Sequence, residues 1–388
     1  MSHRKSIIAI GSITLVSTII SIYSCKKNND ASSSSVDPLS ALNLPSTPYN
    51  YSKPTLPAYL KTPGIIGQDN TPSANPVTDW GATLGRMLFY DKSLSINNSI
   101  ACASCHKQEF GFSDNTAFSS GFNGGQTTRN AMCLTNARYY PDGKFFWDER
   151  AATLEDQTLM PIQNSVEMGM TLGTLINRLN KKSYYPILFK NAFGDATINS
   201  DRISKALSQF VRSIVSYQSK FDVGRGQVAE GADPILTPYP NFTAQENQGK
   251  QLFFGPQINC AHCHGTETFT AAAPKNNGLE NPSVDKGVGG ITNNDQQVGQ
   301  FKVSSLKNIE LSAPYMHDGR FATLEEVVEH YSSGVQANPN LAPQLQNPDG
   351  TPRQLNLTAD QKAALVAFLK TLTDLSITTD VKFSNPFK

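Results

Sequence analysis

Histidine is scarce in this chain of 388 residues: His3, His106, His262, His264, His317 and His330 are all there are. None lies between His106 and His262, so a group held by His106 finds no second histidine in the stretch that follows. An excess of either charge is missing too. Lys and Arg number 33 against 32 Asp and Glu, a net charge of +1. That balance offers nothing to a polyanion and excludes nucleic acid as an expected partner. Long apolar runs are limited to Ile7 to Ile22, too short to count on as a membrane span. Cysteine is sparse as well, at six residues, but four of the six fall into two tight groups.

Those groups are Cys102-Ala103-Ser104-Cys105-His106 and Cys260-Ala261-His262-Cys263-His264. Cys-x-x-Cys-His is the attachment pattern of a c-type haem. The cysteines form thioethers to the porphyrin and the adjacent histidine becomes the proximal iron ligand. A zinc ribbon sets its two Cys-x-x-Cys knuckles some 15–20 residues apart, far closer than Cys105 and Cys260. A thioredoxin-like motif would sit in a βαβ pattern, and none surrounds either site. Neither alternative requires a histidine directly after the second cysteine. Two haem c groups are therefore expected. Cys133 is left over and reads as a small buried hydrophobe.

The amino terminus reads as a targeting segment. Arg4 and Lys5 precede the apolar stretch, which ends at Ser24-Cys25-Lys26-Lys27. A small residue before cysteine looks like a lipoprotein cleavage site, with residues 1–24 as signal peptide and Cys25 as the lipidated first residue. Ile22 and Tyr23 depart from the commoner pattern, leaving an ordinary signal peptide or an uncleaved anchor as alternatives. Export, with lipid anchoring on the periplasmic side of a membrane, agrees with c-type haem attachment. Residues 25–79 contain the run Ser32 to Ser35 and eight prolines between Pro38 and Pro76. Prolines at that density block regular structure, so a tether is expected.

The rest is too long for one core and suits two domains, 80–232 and 233–388. An internal repeat supports the division. Gly85-Arg86-Met87-Leu88-Phe89-Tyr90 precedes the first haem motif and Gly249-Lys250-Gln251-Leu252-Phe253-Phe254 the second. Each half also closes on a helical apolar stripe. Ile203, Leu207, Phe210, Val211, Ile214 and Val215 form the first; Leu365, Phe368, Leu369 and Leu372, behind the capping box Thr358 to Gln361, form the second. The expected fold is all-α, two cytochrome c-like haem domains in tandem.

A haem is catalytic when one axial position stays open and an electron carrier when both are filled. With no distal histidine at hand, Met132, Met160, Met168 and Met170 are the rival ligands for the first haem, and all four also read as packing residues. An open iron is the favoured expectation, and a carrier with both irons closed is the alternative.

At this point the chain resembles the bacterial dihaem cytochrome c peroxidase and MauG family over roughly Trp80 to Leu375. The run Phe145-Phe146-Trp147-Asp148-Glu149-Arg150-Ala151 is similar to the family segment carrying a tryptophan between the haems. Gln157, Pro161 and Glu167 follow at the spacing of the family's distal pocket. The resemblance implies peroxide reduction at the first haem, electrons entering through the second, and Trp147 as the relay. The chemistry needs a base to take a proton from one peroxide oxygen and an acid to deliver it to the other. Glu167 is the candidate for both, its pKa raised by an apolar pocket. Gln157 is the hydrogen-bond donor to the oxygen.

In the second half, Leu306 to Gly319 matches the family signature, including Pro314-Tyr315-Met316-His317-Asp318-Gly319. The peroxidases place a methionine ligand fourteen residues after this histidine; here that position is Tyr331. This departure matches the tyrosine ligation of the MauG branch. Leu324, Val327, Val328 and Tyr331 share one helical face, which turns Tyr331 inward. His330 falls about 100° round, beside Glu326 and Glu329, and is expected to be solvated. Met316 and His330 remain rival ligands. The resemblance also implies one calcium ion held by Asn130 and the backbone carbonyls of Ser312 and Pro314. It further implies hydrogen peroxide as substrate, a small cytochrome or other redox protein as donor, and a homodimer. A MauG-like oxidase that acts on a protein or other substrate by long-range electron transfer is the second reading.

Overall fold

The computed structural model describes residues 37–229 and 231–388. The expected signal peptide, Cys25 with its lipid and the serine run Ser32 to Ser35 lie outside the described residues. The longer helices are α1 Asp79–Tyr90, α2 Leu154–Gln163, α3 Leu172–Asn180, α4 Tyr184–Phe193, α5 Ser200–Ser213, α6 Lys220–Gly226, α7 Ala244–Phe254, α8 Leu324–Glu329 and α9 Ala359–Lys370. Among the described residues, β structure is limited to isolated bridges. The expected all-α class is what is observed.

Each half is built on one helix pair that crosses through glycine. A Cβ on Gly85 of α1 would lie 1.9 Å from the Ala206 carbonyl oxygen and 2.7 Å from Phe210 Cβ of α5. A Cβ on Gly249 of α7 would lie 1.9 Å from the Ala364 oxygen and 2.7 Å from Phe368 Cβ of α9. The sequence repeat is thus a repeat of one helix crossing. Side-chain caps start these helices: Thr78 Oγ1 accepts from Gly81 N, and Asn199 Oδ1 from Arg202 N. Thr243 with Glu246, and Thr358 with Gln361, close capping boxes.

Aromatic rings fill the space between each pair and its haem motif. Phe89, Phe112 and Phe210 cluster in the first core; Phe253, Phe269 and Phe368 cluster in the second. The first core also receives Ile377 and Phe383 from the carboxy-terminal tail. Phe221 of α6 packs with Phe269 and Phe368 in the second.

The expectation of a tether is corrected for residues 38–79. Tyr51, Tyr59, Leu60 and Ile65 are buried. Tyr51 N and Ser52 N both donate to Asp79 Oδ1 at 2.8 Å, and Tyr59 Oη donates to Asp222 Oδ1 at 2.7 Å. Proline removes donors and regular helices, but the aromatic and apolar side chains between the prolines still bury their surface against the body.

Candidate functional site

His106 and His264 are presented alike. His106 Nδ1 donates to the Phe112 carbonyl at 3.1 Å and His264 Nδ1 to the Phe269 carbonyl at 3.2 Å. Both acceptors sit at left-handed residues, φ 64° and 53°. With Nδ1 committed, Nε2 is the nitrogen left to meet iron. Burial holds both imidazoles below their ordinary pKa, His264 down to about 4, so both are neutral and able to ligate. This fits a c-type haem at each motif.

Over the first motif lies a cavity of about 230 Å³ lined by Cys105, His106, Trp147, Gln157, Pro161 and Glu167, among others. A smaller one of about 70 Å³ adds Cys102 and shares Cys105, His106, Gln157, Pro161 and Glu167. Gln157 and Pro161 are one turn apart on α2, whose start Thr153 caps through Asp156 N at 3.0 Å. Glu167 follows α2 in a loop closed by Asn164, whose Oδ1 accepts from Val166 N and Glu167 N at 2.8 and 3.1 Å. Phe122 N donates to the Glu167 carbonyl at 3.0 Å. Burial raises the Glu167 carboxyl above the ordinary range, and the Arg150 guanidinium opposes that shift.

Of the four methionines, Met170 is in the core and Met160 is exposed at 39%. Met132 lines the larger cavity and Met168 the smaller. Cys133 lines the larger cavity as well, its thiol donating to the Gly111 carbonyl at 2.9 Å.

Trp147 stands where the halves meet. Its Nε1 donates to the Asn130 carbonyl at 2.8 Å, and Asn130 N donates to the His317 carbonyl at 2.8 Å. Lys302 N donates to the Trp147 carbonyl at 2.8 Å. The repeat runs through this region too. Bridges Phe145↔Ala151 and Tyr315↔Phe321 close equivalent turns, with Phe146 and Met316 at φ 69° and 73°. Thr153 and Thr323 then cap equivalent helices, α2 and α8. In this register Trp147 corresponds to His317, and Pro161 to Tyr331. The tyrosine position of the second half is a proline, without a ligating atom, in the first.

Around the second motif, Tyr331 lies near Asn277, Cys260 and Cys263. Burial pushes its hydroxyl up to about 12. The expectation of a solvated His330 is corrected: it is 6% exposed, with Nε2 donating to the Asn277 carbonyl at 3.0 Å. After α8 the chain widens into one π-helical turn, His330–Gly334, and residues far away in sequence cover that face. His317 is buried, stacked on Phe301 with ring centroids 3.8 Å apart. Asn130 donates through Nδ2 to the Thr116 carbonyl at 3.1 Å. Pro314 Cγ and Ala117 both lie within 3.3 Å of a Cβ position on Gly319, which brings the Asn130 and Pro314 segments close together. Among the described residues, no three His, Cys, Asp or Glu side chains form a metal cluster. Asn277 and Arg150 were not singled out from sequence; their partners lie in other segments and leave no local signal.

A family model described as di-haem cytochrome c peroxidase matches residues 80–228. The methylamine utilization protein MauG of Methylorubrum extorquens is 33% identical over 304 residues, covering 78% of this chain and 80% of that protein. The cytochrome c551 peroxidase of Nitrosomonas europaea is 34% identical over 296 residues, covering 75% and 79%. Among solved structures, a MauG-like protein associated with microbial copper homeostasis superposes with a TM-score of 0.71 at 33% identity, covering 81% of this chain and 95% of that one.

Proposed function

The chain belongs to the di-haem cytochrome c peroxidase family and is a dihaem c-type peroxidase, and from that premise we propose how its residues divide the work. Hydrogen peroxide is the substrate and a cytochrome the electron donor. The observation that carries the reading is the cavity joining Cys105 and His106 to Gln157, Pro161, Glu167 and Trp147. The haem at Cys102, Cys105 and His106, when bound, supplies the electrons that cleave the O–O bond. The chain supplies the rest. Gln157 donates a hydrogen bond that orients peroxide. Glu167 takes the proton from one oxygen and returns it to the other, so that two electrons and two protons yield two waters. Pro161 lines the same cavity and offers no side-chain atom that could ligate a haem bound there. Trp147 lies between the two halves as the relay from the haem at Cys260, Cys263 and His264.

Glu167→Gln is expected to lower turnover of peroxide with reduced cytochrome c by about 10²- to 10⁴-fold. The parent protein, fully oxidised at the start, is expected to turn over without a reductive activation step. Unchanged turnover in the variant removes Glu167 from the mechanism; a parent that needs prior half-reduction refutes the open site.

The half-buried Tyr331 near Cys260 and Cys263 favours a second reading, a MauG-like oxidase acting on a protein or other substrate. Phenolate is a hard anionic ligand that disfavours easy reduction of the second haem. Oxidation of a candidate substrate by peroxide without a cytochrome donor separates the two readings. The nearness of the Asn130 and Pro314 segments supports calcium between the haems, with Ser312 completing the carbonyl set; chelation lowering peroxide turnover tests it. We also propose export with lipidation at Cys25, tested by the mass of the mature amino terminus, and homodimer formation, tested by light scattering. The packing of Phe221 supports a domain boundary at or before α6 rather than at 232.

A further inference from the structure

Asn277 is hydrogen-bonded to two of the three side chains that compete for the second haem's free face and lies near the third, Tyr331. Its Nδ2 donates to Met316 Sδ at 3.4 Å. Its main-chain carbonyl accepts from His330 Nε2 at 3.0 Å.

The segment that carries Asn277 is fixed on both sides. Lys275 and Phe301 exchange backbone bonds of 2.8 and 2.9 Å. Ala342 N donates to the Asn276 carbonyl at 2.9 Å, and Gln336 N to the Gly278 carbonyl at 2.9 Å. Asn276 Oδ1 accepts from Gly278 N at 2.9 Å. A side chain on so rigid a base dictates to its partners and does not follow them. His330 has no second route to iron, because its Nδ1 lies 3.3 Å from a Cβ position on Gly334, turned against its own helical turn.

We propose that Asn277 is the positioning residue that sets the second haem's distal ligand, occupying Met316 Sδ and His330 Nε2 and so leaving the iron to Tyr331. This rests on the assignment of Tyr331 as ligand and deepens it. Sequence alone leaves three rivals; the geometry disposes of two through one residue.

The test is low-temperature EPR and redox titration of the oxidised holoprotein carrying Asn277→Asp, which keeps the shape but loses both donor hydrogens. Asn277→Leu is the second variant, and Asn277→Asp with Met316→Leu the double. The expected result is a loss of at least tenfold in the parent low-spin species of the second haem and the rise of a new low-spin species. That species should disappear in the double variant, while the high-spin signal of the first haem persists throughout. Both single variants keeping the parent low-spin spectrum and potential would overturn the role of Asn277. Tyr331→Phe keeping that spectrum would sink the tyrosine assignment itself, and the proposal with it.

Discussion

Arg150 shows how one charge at the rim of a cavity sets the working range of another. It stacks over the Phe146 ring at 3.6 Å and donates to both Asp148 carboxylate oxygens at 2.9 and 3.1 Å. It is also the charge that opposes the effect of burial on Glu167. Glu167 acts as a base only when ionised, so kcat/KM for peroxide falls as pH drops through its raised pKa. Removing the guanidinium moves that pKa further up. Arg150→Gln is therefore expected to shift the acid limb of the pH profile to higher pH with the plateau largely kept, and Glu167→Gln to abolish the limb. An acid limb that stays in place in Arg150→Gln would mean that Asp148 neutralises Arg150 and that Glu167 does not sense it. Of these residues, Glu167 and Gln157 were readable only through their spacing from Trp147. Nothing local marks them, since a glutamate after a helix is ordinarily solvated. His330 was misread for the converse reason: helical geometry alone cannot register a covering segment 53 residues earlier in the chain.

At the scale of elements, the repeat was legible because it is a packing requirement. Only glycine lets α1 approach α5, and α7 approach α9, closely enough to seat an aromatic beside each haem motif. The sequence therefore keeps Gly85 and Gly249 at matching places. Gly85→Ala and Gly249→Ala are each expected to cost about 3 kcal/mol, since the new methyl meets backbone that cannot yield. Denaturant titration followed at the two haems should show each substitution weakening its own half first. Equal loss at both haems from either variant would mean that the halves unfold as one unit. What the repeat did not reveal is where its copies differ, Pro161 against Tyr331 and Trp147 against His317. In the proposed reading the first of those differences leaves one haem site open and closes the other, and both become visible only once equivalent turns and caps fix the register. The segment 38–79 was lost to a different cause. Proline content reports on backbone hydrogen bonding, whereas burial of Tyr51, Tyr59, Leu60 and Ile65 depends on the surface they find.

Across the whole molecule, the two ends of the described chain close over the first core. Leu42 pairs with Phe387, Asn43 N donates to the Pro386 carbonyl at 2.7 Å, and Tyr51 Oη donates to the Lys382 carbonyl. From the first half, Arg86 Nε donates to the Ser384 carbonyl and Tyr90 Oη to the Phe383 carbonyl, both at 2.7 Å. The tail reaches the haem motif itself. Gln108, two residues beyond His106, donates through Nε2 to the carbonyls of Ile377 and Asp380 at 2.9 and 3.0 Å. The last residues of the second half thus brace the proximal loop of the first. Deleting residues 376–388 removes Ile377 and Phe383 from the core and takes the acceptor from Nε of the buried Arg86, which keeps Tyr51 Oη and the Asn43 carbonyl at 3.4 and 3.5 Å. Two buried side chains at about 1.5–3 kcal/mol each, with the unpaired Nε, amount to roughly 5 kcal/mol. The truncated protein should therefore lose the first haem's native spectrum at lower denaturant, with the second haem's transition little changed. Destabilisation confined to the second haem would show that the tail belongs energetically to the half that precedes it in sequence, and that its bonds to the first core add little.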